Sequence, residues 1–159
     1  MILFEVIKAF LNEQEVKYEI VHHKPTPTSE DSARERGESI KIGAKALLMK
    51  ADQFLLVVIP ADKRLDSKKL RGILKTKKLR FSTEDELKEI TGMEKGALPP
   101  FGNLLGLRMI VDKTIFNEEW MAFNAGSLTD SIKMKTEDYK RILTSLELQV
   151  EDVITDVKV

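Results

Sequence analysis

The sequence predicts an α+β fold: a single domain over residues 1–159, with helices surrounding a mixed, curved or barrel-like β-sheet. Three observations lead there. Residues 43–50 and 54–60 are apolar runs separated by the polar turn Ala51-Asp52-Gln53, the pattern of a hairpin of buried strands. Amphipathic segments with helical spacing stand at both ends of the chain and between further short strands. Strands joined by tight turns must pair antiparallel, so the connections are mixed and a doubly wound parallel sheet does not fit.

The elements follow in order. Leu3, Val6, Ile7, Phe10 and Leu11 recur at helical spacing and predict a helix over about residues 2–14. Residues 17–22 alternate and read as a strand. Pro25 and Pro27 hold the next loop extended. Thr28 or Ser29 caps a short helix reaching Arg36, with Glu30 and Asp31 in its first turn and Gly37 at its end. After the hairpin, Asp66 or Ser67 caps a helix over about residues 67–75, and residues 79–81 form a brief strand. Ser82 caps a helix over residues 83–90 that Gly92 closes. Residues 107–112 and 119–124 are strands separated by a turn. A small-residue turn over 125–130 leads into a strand at 131–135. Thr136 caps a helix carrying Tyr139, Ile142, Leu143 and Leu146. The alternation at 148–150 and 153–157 predicts one closing strand or helical turn.

Composition excludes several chemistries. The chain has no cysteine, which removes disulfides, thiolate metal sites and a cysteine nucleophile. No apolar run reaches membrane-spanning length. The N-terminal residues lack a basic region and a small-residue cleavage site, so the expectation is a cytoplasmic protein without a signal peptide. Net charge is zero, yet residues 63–80 carry nine basic residues against one acid, Asp66. Two readings fit this block, which includes Lys63, Arg64, Lys68, Lys69 and Arg71: a footprint for a phosphate backbone, or a solvated lysine-rich face.

The stretch with most character is Gly96-Ala97-Leu98-Pro99-Pro100-Phe101-Gly102. Glycine reaches positive φ and admits close approach, while proline fixes φ and removes an N–H. Such a loop is stiff and pre-shaped. It is either a rigid turn or a device that holds carbonyls and amides for a small ligand. Lys45 is the second feature. In a strand it shares a face with Leu47 and Met49, so the cation enters a buried or half-buried place. Either its ammonium escapes to water at the strand's start, or it waits for a phosphate, carboxylate or carbonyl. The third feature is the turn Asn124-Ala125-Gly126-Ser127. His22 and His23 are adjacent on a strand, point to opposite sides and lack a third ligand, so they read as surface or loop-edge histidines rather than a metal site.

No Walker loop, GxGxxG, HExxH or GxSxG motif occurs. A pocket of backbone dipoles plus one cation can still stabilise developing charge without a side-chain nucleophile. Gly43-Ala44-Lys45-Ala46-Leu47, Gly92, the 96–102 loop, Val111-Asp112 and Asn124-Ala125-Gly126-Ser127 stand in the order and spacing of one family, and Thr28 and Ala33 also fit. Over about residues 21–143 the chain resembles the YbaK/ProX family, the editing domain also found inserted in bacterial prolyl-tRNA synthetases.

The resemblance implies an aminoacyl-tRNA deacylase acting in trans on the ester between a wrong amino acid and the tRNA 3′-terminal adenosine. It implies that Lys45 contacts the terminal phosphate or the ester region, and that Gly96 and Pro100 hold the GxxxP backbone wall. Gly126 closes the other side. Around these catalytic positions, Thr28, Leu98, Pro99, Phe101, Gly102, Asn124, Ala125, Ser127 and Asp130 are expected to bind substrate. No cofactor or metal is expected, and substrate groups such as a ribose hydroxyl assist in place of a protein base. Residues 25–32 and 127–130 vary between family branches, which leaves alanine, cysteine or another small residue on the tRNA for proline as the amino acid removed. The expected partners are a mischarged aminoacyl-tRNA, met partly by the basic block, and an aminoacyl-tRNA synthetase; no membrane is involved. The alternatives are a catalytically silent tRNA-binding or regulatory module of the same fold, or a small-molecule hydrolase using the same pocket.

Overall fold

The structure is a computed structural model that describes residues 3–25, 34 and 40–155. Thr28, Ala33 and most of the helix expected over 28–36 lie outside the described residues, as do residues 156–159.

Four helices and eight strands are present among the described residues: α1 (Leu3–Glu13), β1 (Tyr18–His22), β2 (Ala44–Lys50), β3 (Phe54–Pro60), α2 (Ser67–Leu74), β4 (Arg80–Phe81), α3 (Glu84–Thr91), β5 (Arg108–Asp112), β6 (Trp120–Asn124), β7 (Asp130–Lys135), α4 (Thr136–Ser145) and β8 (Gln149–Glu151). They build an α+β fold with two sheets. The first is antiparallel, in the order β1-β7-β6; the second has the order β4-β2-β3-β5-β8. In the second, the β2–β3 hairpin and β4 pair antiparallel, whereas β5 on β3 and β8 on β5 are parallel. The expected mixed pairing is therefore present, but no closed barrel forms among the described residues. The two sheets meet at a parallel bridge between Gly43 and Ala122.

Both faces of the β2–β3 hairpin are covered, which is why its strands read as continuous apolar runs instead of alternating ones. One face sends Leu48, Leu56 and Val58 into the main core, with Ile7 and Leu11 of α1, Met121 and Phe123 of β6, Ile132 and Met134 of β7, and Tyr139, Ile142 and Leu143 of α4. The other face sends Met49, Leu55, Val57 and Ile59 against Leu70 of α2, Val153 and Ile154. The closing segment is a strand, β8, followed by an antiparallel bridge from Ile154 to Leu65. Buried Asp112 anchors this end, accepting from the Val153 amide at 2.8 Å and the Thr114 amide at 3.0 Å.

The caps were partly legible. Asp66 caps α2, accepting from the amides of Lys68 and Lys69. At α3 the cap is Thr83, not Ser82: Thr83 and Glu86 form a reciprocal capping box, and Gly92 ends the helix in the left-handed region at φ 73°. Thr136 does not cap α4. Lys135 holds that position without a side-chain bond, and the Thr136 hydroxyl instead donates to the carbonyls of Glu118 and Glu119, tying the helix start to the turn before β6.

Candidate active site

The 96–102 loop crosses the main core between α3 and β5. Ala97, Leu98, Pro99, Pro100, Phe101 and Gly102 are buried, and Gly96 is exposed. Phe101 is fully buried and meets Phe10, Phe123 and Tyr139 edge-on at 5.5–5.6 Å between ring centroids. This ring faces the core and anchors the loop from beneath. Gly102 is needed for packing: a Cβ there would lie 2.8 Å from the Leu107 carbonyl oxygen and 3.0 Å from Met109 Cβ.

Three donors from three elements pin the loop's carbonyls. The Asn124 side-chain amide donates to the Gly96 carbonyl at 2.7 Å. The Gly126 amide donates to the Ala97 carbonyl at 2.9 Å. The Tyr139 hydroxyl donates to the Pro100 carbonyl at 2.8 Å, and burial pushes that phenol well above its usual range, so it remains a donor. Gly96 and Gly126 both take the left-handed backbone that favours glycine, at φ 89° and 86°. Asn124, Ala125 and Gly126 thus lie against the loop.

Not every amide of the loop is matched within the protein; the Leu98 and Phe101 N–H groups have no partner among the described residues. The Ala97 amide donates to the Glu94 carbonyl, and Pro99 and Pro100 have no N–H. Between Ala97 and Pro100, the Leu98 amide is the N–H without a partner among the described residues. A buried N–H left unmatched in the protein is rare and suits an incoming acceptor.

Ser127 and Asp130 close the small-residue turn on itself. The Ser127 hydroxyl donates to Asp130 Oδ2 at 2.7 Å, and His22 Nδ1 lies 2.5 Å from Asp130 Oδ1. Burial opposes ionisation of Asp130, but the bonds from Ser127 and His22 outweigh it and hold the carboxyl below its usual range. Both side chains shape the turn that carries Gly126.

Lys45 is half-buried and stands apart from the loop's hydrogen-bond set. Its register partner is Ile59, so it belongs to the sheet face covered by α2. The Gly43–Ala122 bridge runs the start of β2 beside β6, and Lys45 and Asn124 each lie two residues beyond that bridge. Desolvation lowers the Lys45 ammonium from its ordinary range, partly offset by Asp62, with Arg64 adding to the lowering. The charge of Arg64 places the start of the basic block on the Lys45 side of the molecule. Within that block, Lys63, Arg64 and Lys68 are exposed and Arg71 is half-buried, whereas Lys69 Nζ docks α2 on the tail through Asp152 at 3.2 Å and the Ile154 carbonyl at 2.8 Å. Among the described residues no cluster of three or more His, Asp or Glu could hold a metal ion, and no helix is long and apolar enough to cross a membrane.

Sequence reasoning missed three contributors. Tyr139 read as a core position, although a buried tyrosine hydroxyl generally requires a partner. His23 and Ser131 carried no local signal, because their contacts join β7 to a segment over a hundred positions away.

The α+β fold, with its proline-stiffened loop pinned beside a glycine turn, can be set beside known proteins. The chain belongs to the aminoacyl-tRNA editing domain family, whose model matches residues 23–142. The Multifunctional Ser/Thr-tRNA deacylase ProXp-y of Escherichia coli is 31% identical over 140 residues, covering 84% of each chain. Prolyl-tRNA editing protein ProX of Acetoanaerobium sticklandii is 27% identical over 146 residues, 87% of this chain and 89% of that one. The crystal structure of a candidate trans-editing enzyme for prolyl tRNA synthetase shares the fold, with a TM-score of 0.79 at 21% identity over 96% of each chain.

Proposed function

We propose that the chain is a trans-acting deacylase that hydrolyses the ester of a small amino acid on the 3′-terminal adenosine of a mischarged tRNA. Alanine and cysteine on the tRNA for proline are the first candidates, and the names of the relatives add serine and threonine. The observation that carries the reading is the pinned loop, with its carbonyls at Gly96, Ala97 and Pro100 each held by a separate element. Rigid backbone of this kind stabilises charge without reorganising during the reaction.

In the proposed mechanism Lys45 takes the terminal phosphate or the ester region as its anionic partner. The Leu98 amide donates to the ester carbonyl oxygen as negative charge develops there. Water adds to the carbonyl carbon, and a ribose hydroxyl of the substrate assists the proton's removal. The bond to the ribose oxygen then breaks, that oxygen takes a proton, and free amino acid and tRNA leave. Gly96, Leu98, Pro99, Pro100 and Gly102 shape one wall, with Phe101 beneath it. Asn124, Ala125, Gly126, Ser127 and Asp130 form the other, and Thr28 is a further candidate on the substrate side. The exposed cations Lys63, Arg64 and Lys68, with Arg71, take the tRNA backbone, and Lys69 contributes through its neighbours. A synthetase is a candidate partner for delivery of the mischarged tRNA. One methylene is worth only about 1–3 kcal/mol in an apolar pocket, so small changes in the lining would switch the amino acid removed.

The test is a panel of tRNAs charged with alanine, cysteine, serine or threonine. At least one ester is expected to decay faster with the protein than in buffer. If all decay at the buffer rate, the enzyme reading fails.

A further inference from the structure

Phe81 on the edge strand β4 is 56% exposed, whereas the other exposed large apolar residues among those described, Ile20, Leu146 and Val150, reach at most 40%. No aromatic ring or cation lies over it among the described residues, while the chain's other phenylalanines each meet a ring or a lysine. Trp120, the half-buried ring of β6, already carries the ammoniums of Lys133 and Lys135 at 5.2 and 5.6 Å. A lone exposed apolar residue needs no explanation by itself. What sets Phe81 apart is where it stands and which charges surround it.

The β2–β4 register sets Phe81 opposite Met49. Opposite residues of a strand pair share a face, and so do alternate residues along one strand. Phe81 therefore stands on the same sheet face as Met49, Leu47 and Lys45. Leu79 and Leu47 pack on that face, against the cluster beneath α2. From Lys45 to Phe81 the path runs along β2 to Met49 and then across one strand, roughly 14 Å in all. Charge is divided between the two faces. From Ser67 to Thr83 there are seven basic residues and no acid. Lys75, Lys77 and Lys78 are exposed at the end of α2 and in the turn leading to Phe81. The next acids, Glu84, Asp85 and Glu86, begin α3, whose Leu87 packs into the main core on the opposite face. Glu86 pairs with Arg80, which points away from Phe81 because neighbours on a strand alternate.

An open ring in a segment of cations suits single-stranded nucleic acid: phosphates take the ammoniums and a base stacks on the ring. A duplex would offer this surface only its phosphates, because its bases are stacked on one another. We propose that Phe81 is a stacking platform for an unpaired base of the tRNA 3′ strand, with Lys75, Lys77 and Lys78 on the adjoining phosphates and the terminal adenosine at Lys45. The identity of the strand rests on the deacylase reading. Stacked nucleotides advance about 3.4 Å each, so about four of them cover the path from Lys45, and fewer where the strand is extended. The platform holds the strand without reading its sequence, because every base has a π-face.

The probe is a short unpaired oligoribonucleotide that ends in adenosine and carries a fluorescent adenine analogue at an inner position, quenched when that base stacks. The wild type is expected to bind and quench it, and Phe81→Tyr to do the same. Phe81→Leu, which keeps an apolar side chain but removes the ring, should bind about 5- to 100-fold more weakly. Its melting temperature should stay close to that of the wild type, since the ring is exposed. A blunt RNA duplex should bind both proteins equally. An oligonucleotide affinity that Phe81→Leu leaves unchanged, or an equal loss on the duplex, overturns the platform. On the best-cleaved aminoacyl-tRNA, Phe81→Leu should raise KM by a similar factor with kcat little changed, because stacking holds ground state and transition state alike. An unchanged KM would also overturn it and leave the deacylase reading intact. A wild type that binds the oligonucleotide through Phe81 yet cleaves no ester would sink the deacylase reading and leave the platform standing.

Discussion

Tyr139 shows what single residues contribute here. Its hydroxyl is the donor for the Pro100 carbonyl in the dry core, so Tyr139→Phe leaves that carbonyl buried and unmatched. A loss of about 1–3 kcal/mol in unfolding free energy is expected, with slower deacylation at unchanged substrate affinity, measured by denaturant melts and steady-state rates. Unaltered stability would show that the bond does not hold the loop. Lys45 should behave in the opposite way. Desolvation lowers its ammonium from the ordinary range, so the folded protein holds this proton less tightly than the unfolded chain does. The stabilising side of that linkage lies above the ordinary lysine range and is lost as pH falls through the lowered folded value; at neutral pH the charge is a burden. Lys45→Met is therefore expected to raise the melting temperature while abolishing deacylation, the trade-off typical of functional sites. A lowered melting temperature would mark Lys45 as structural. These residues were unequally legible. Gly96, Pro100 and Gly126 announced themselves through backbone demands that few residue types meet. The placement of Phe101 in the core did not, because an aromatic ring in a loop gives no sign of which side it faces.

Elements were easier to read than their junctions. The continuous apolar runs of β2 and β3 announced strands covered on both faces, and α2 now explains the second cover. The caps were harder, since Ser82, Thr83 and Thr136 are all plausible by type and only the reciprocal bond with Glu86 decides in favour of Thr83. The α3–β4 junction carries a pH dependence. Arg80 grips Glu86 with two bonds, at 2.7 and 2.9 Å, and Glu86 also accepts from the Thr83 amide. The Arg80 bonds first, then the Thr83 amide, lower the Glu86 carboxyl from 4.5 to about 2. A depressed carboxyl stabilises the fold above its unfolded value and loses that contribution as pH falls through its folded value. The melting temperature of Arg80→Ala should lie below that of the wild type near neutral pH, and the gap should close between 4.5 and about 2. The pair is exposed, so salt should shrink the gap as well. A gap independent of pH would remove this ion pair from the account.

At the scale of the whole molecule, the expected α+β domain with mixed strand pairing is present, built without a closed barrel from two sheets that meet, among the described residues, at the bridge between Gly43 and Ala122. Nothing local could reveal the two-sheet arrangement, because strand order depends on pairings between segments remote in sequence. The same topology assembles the candidate site. It brings α3's following loop, the β6–β7 turn and α4 to one place, while Lys45 lies on the neighbouring sheet, within the electrostatic reach of Asp62 and Arg64. Spacing along the chain suggested that these parts belong together, but only the fold shows that the carbonyls of Gly96, Ala97 and Pro100 are held and that the Leu98 amide has no partner among the described residues. The central claim is that this backbone wall performs the hydrolysis. Gly96 tests it most directly, since it is exposed, lies at φ 89° and supplies the carbonyl that Asn124 holds. The decisive measurement is the single-turnover decay of the best-cleaved aminoacyl ester with wild type and Gly96→Ala. A loss of about 100-fold in the first-order rate is predicted, with the melting temperature within a few degrees of the wild type. A Gly96→Ala protein that cleaves the ester at the wild-type rate would contradict the account.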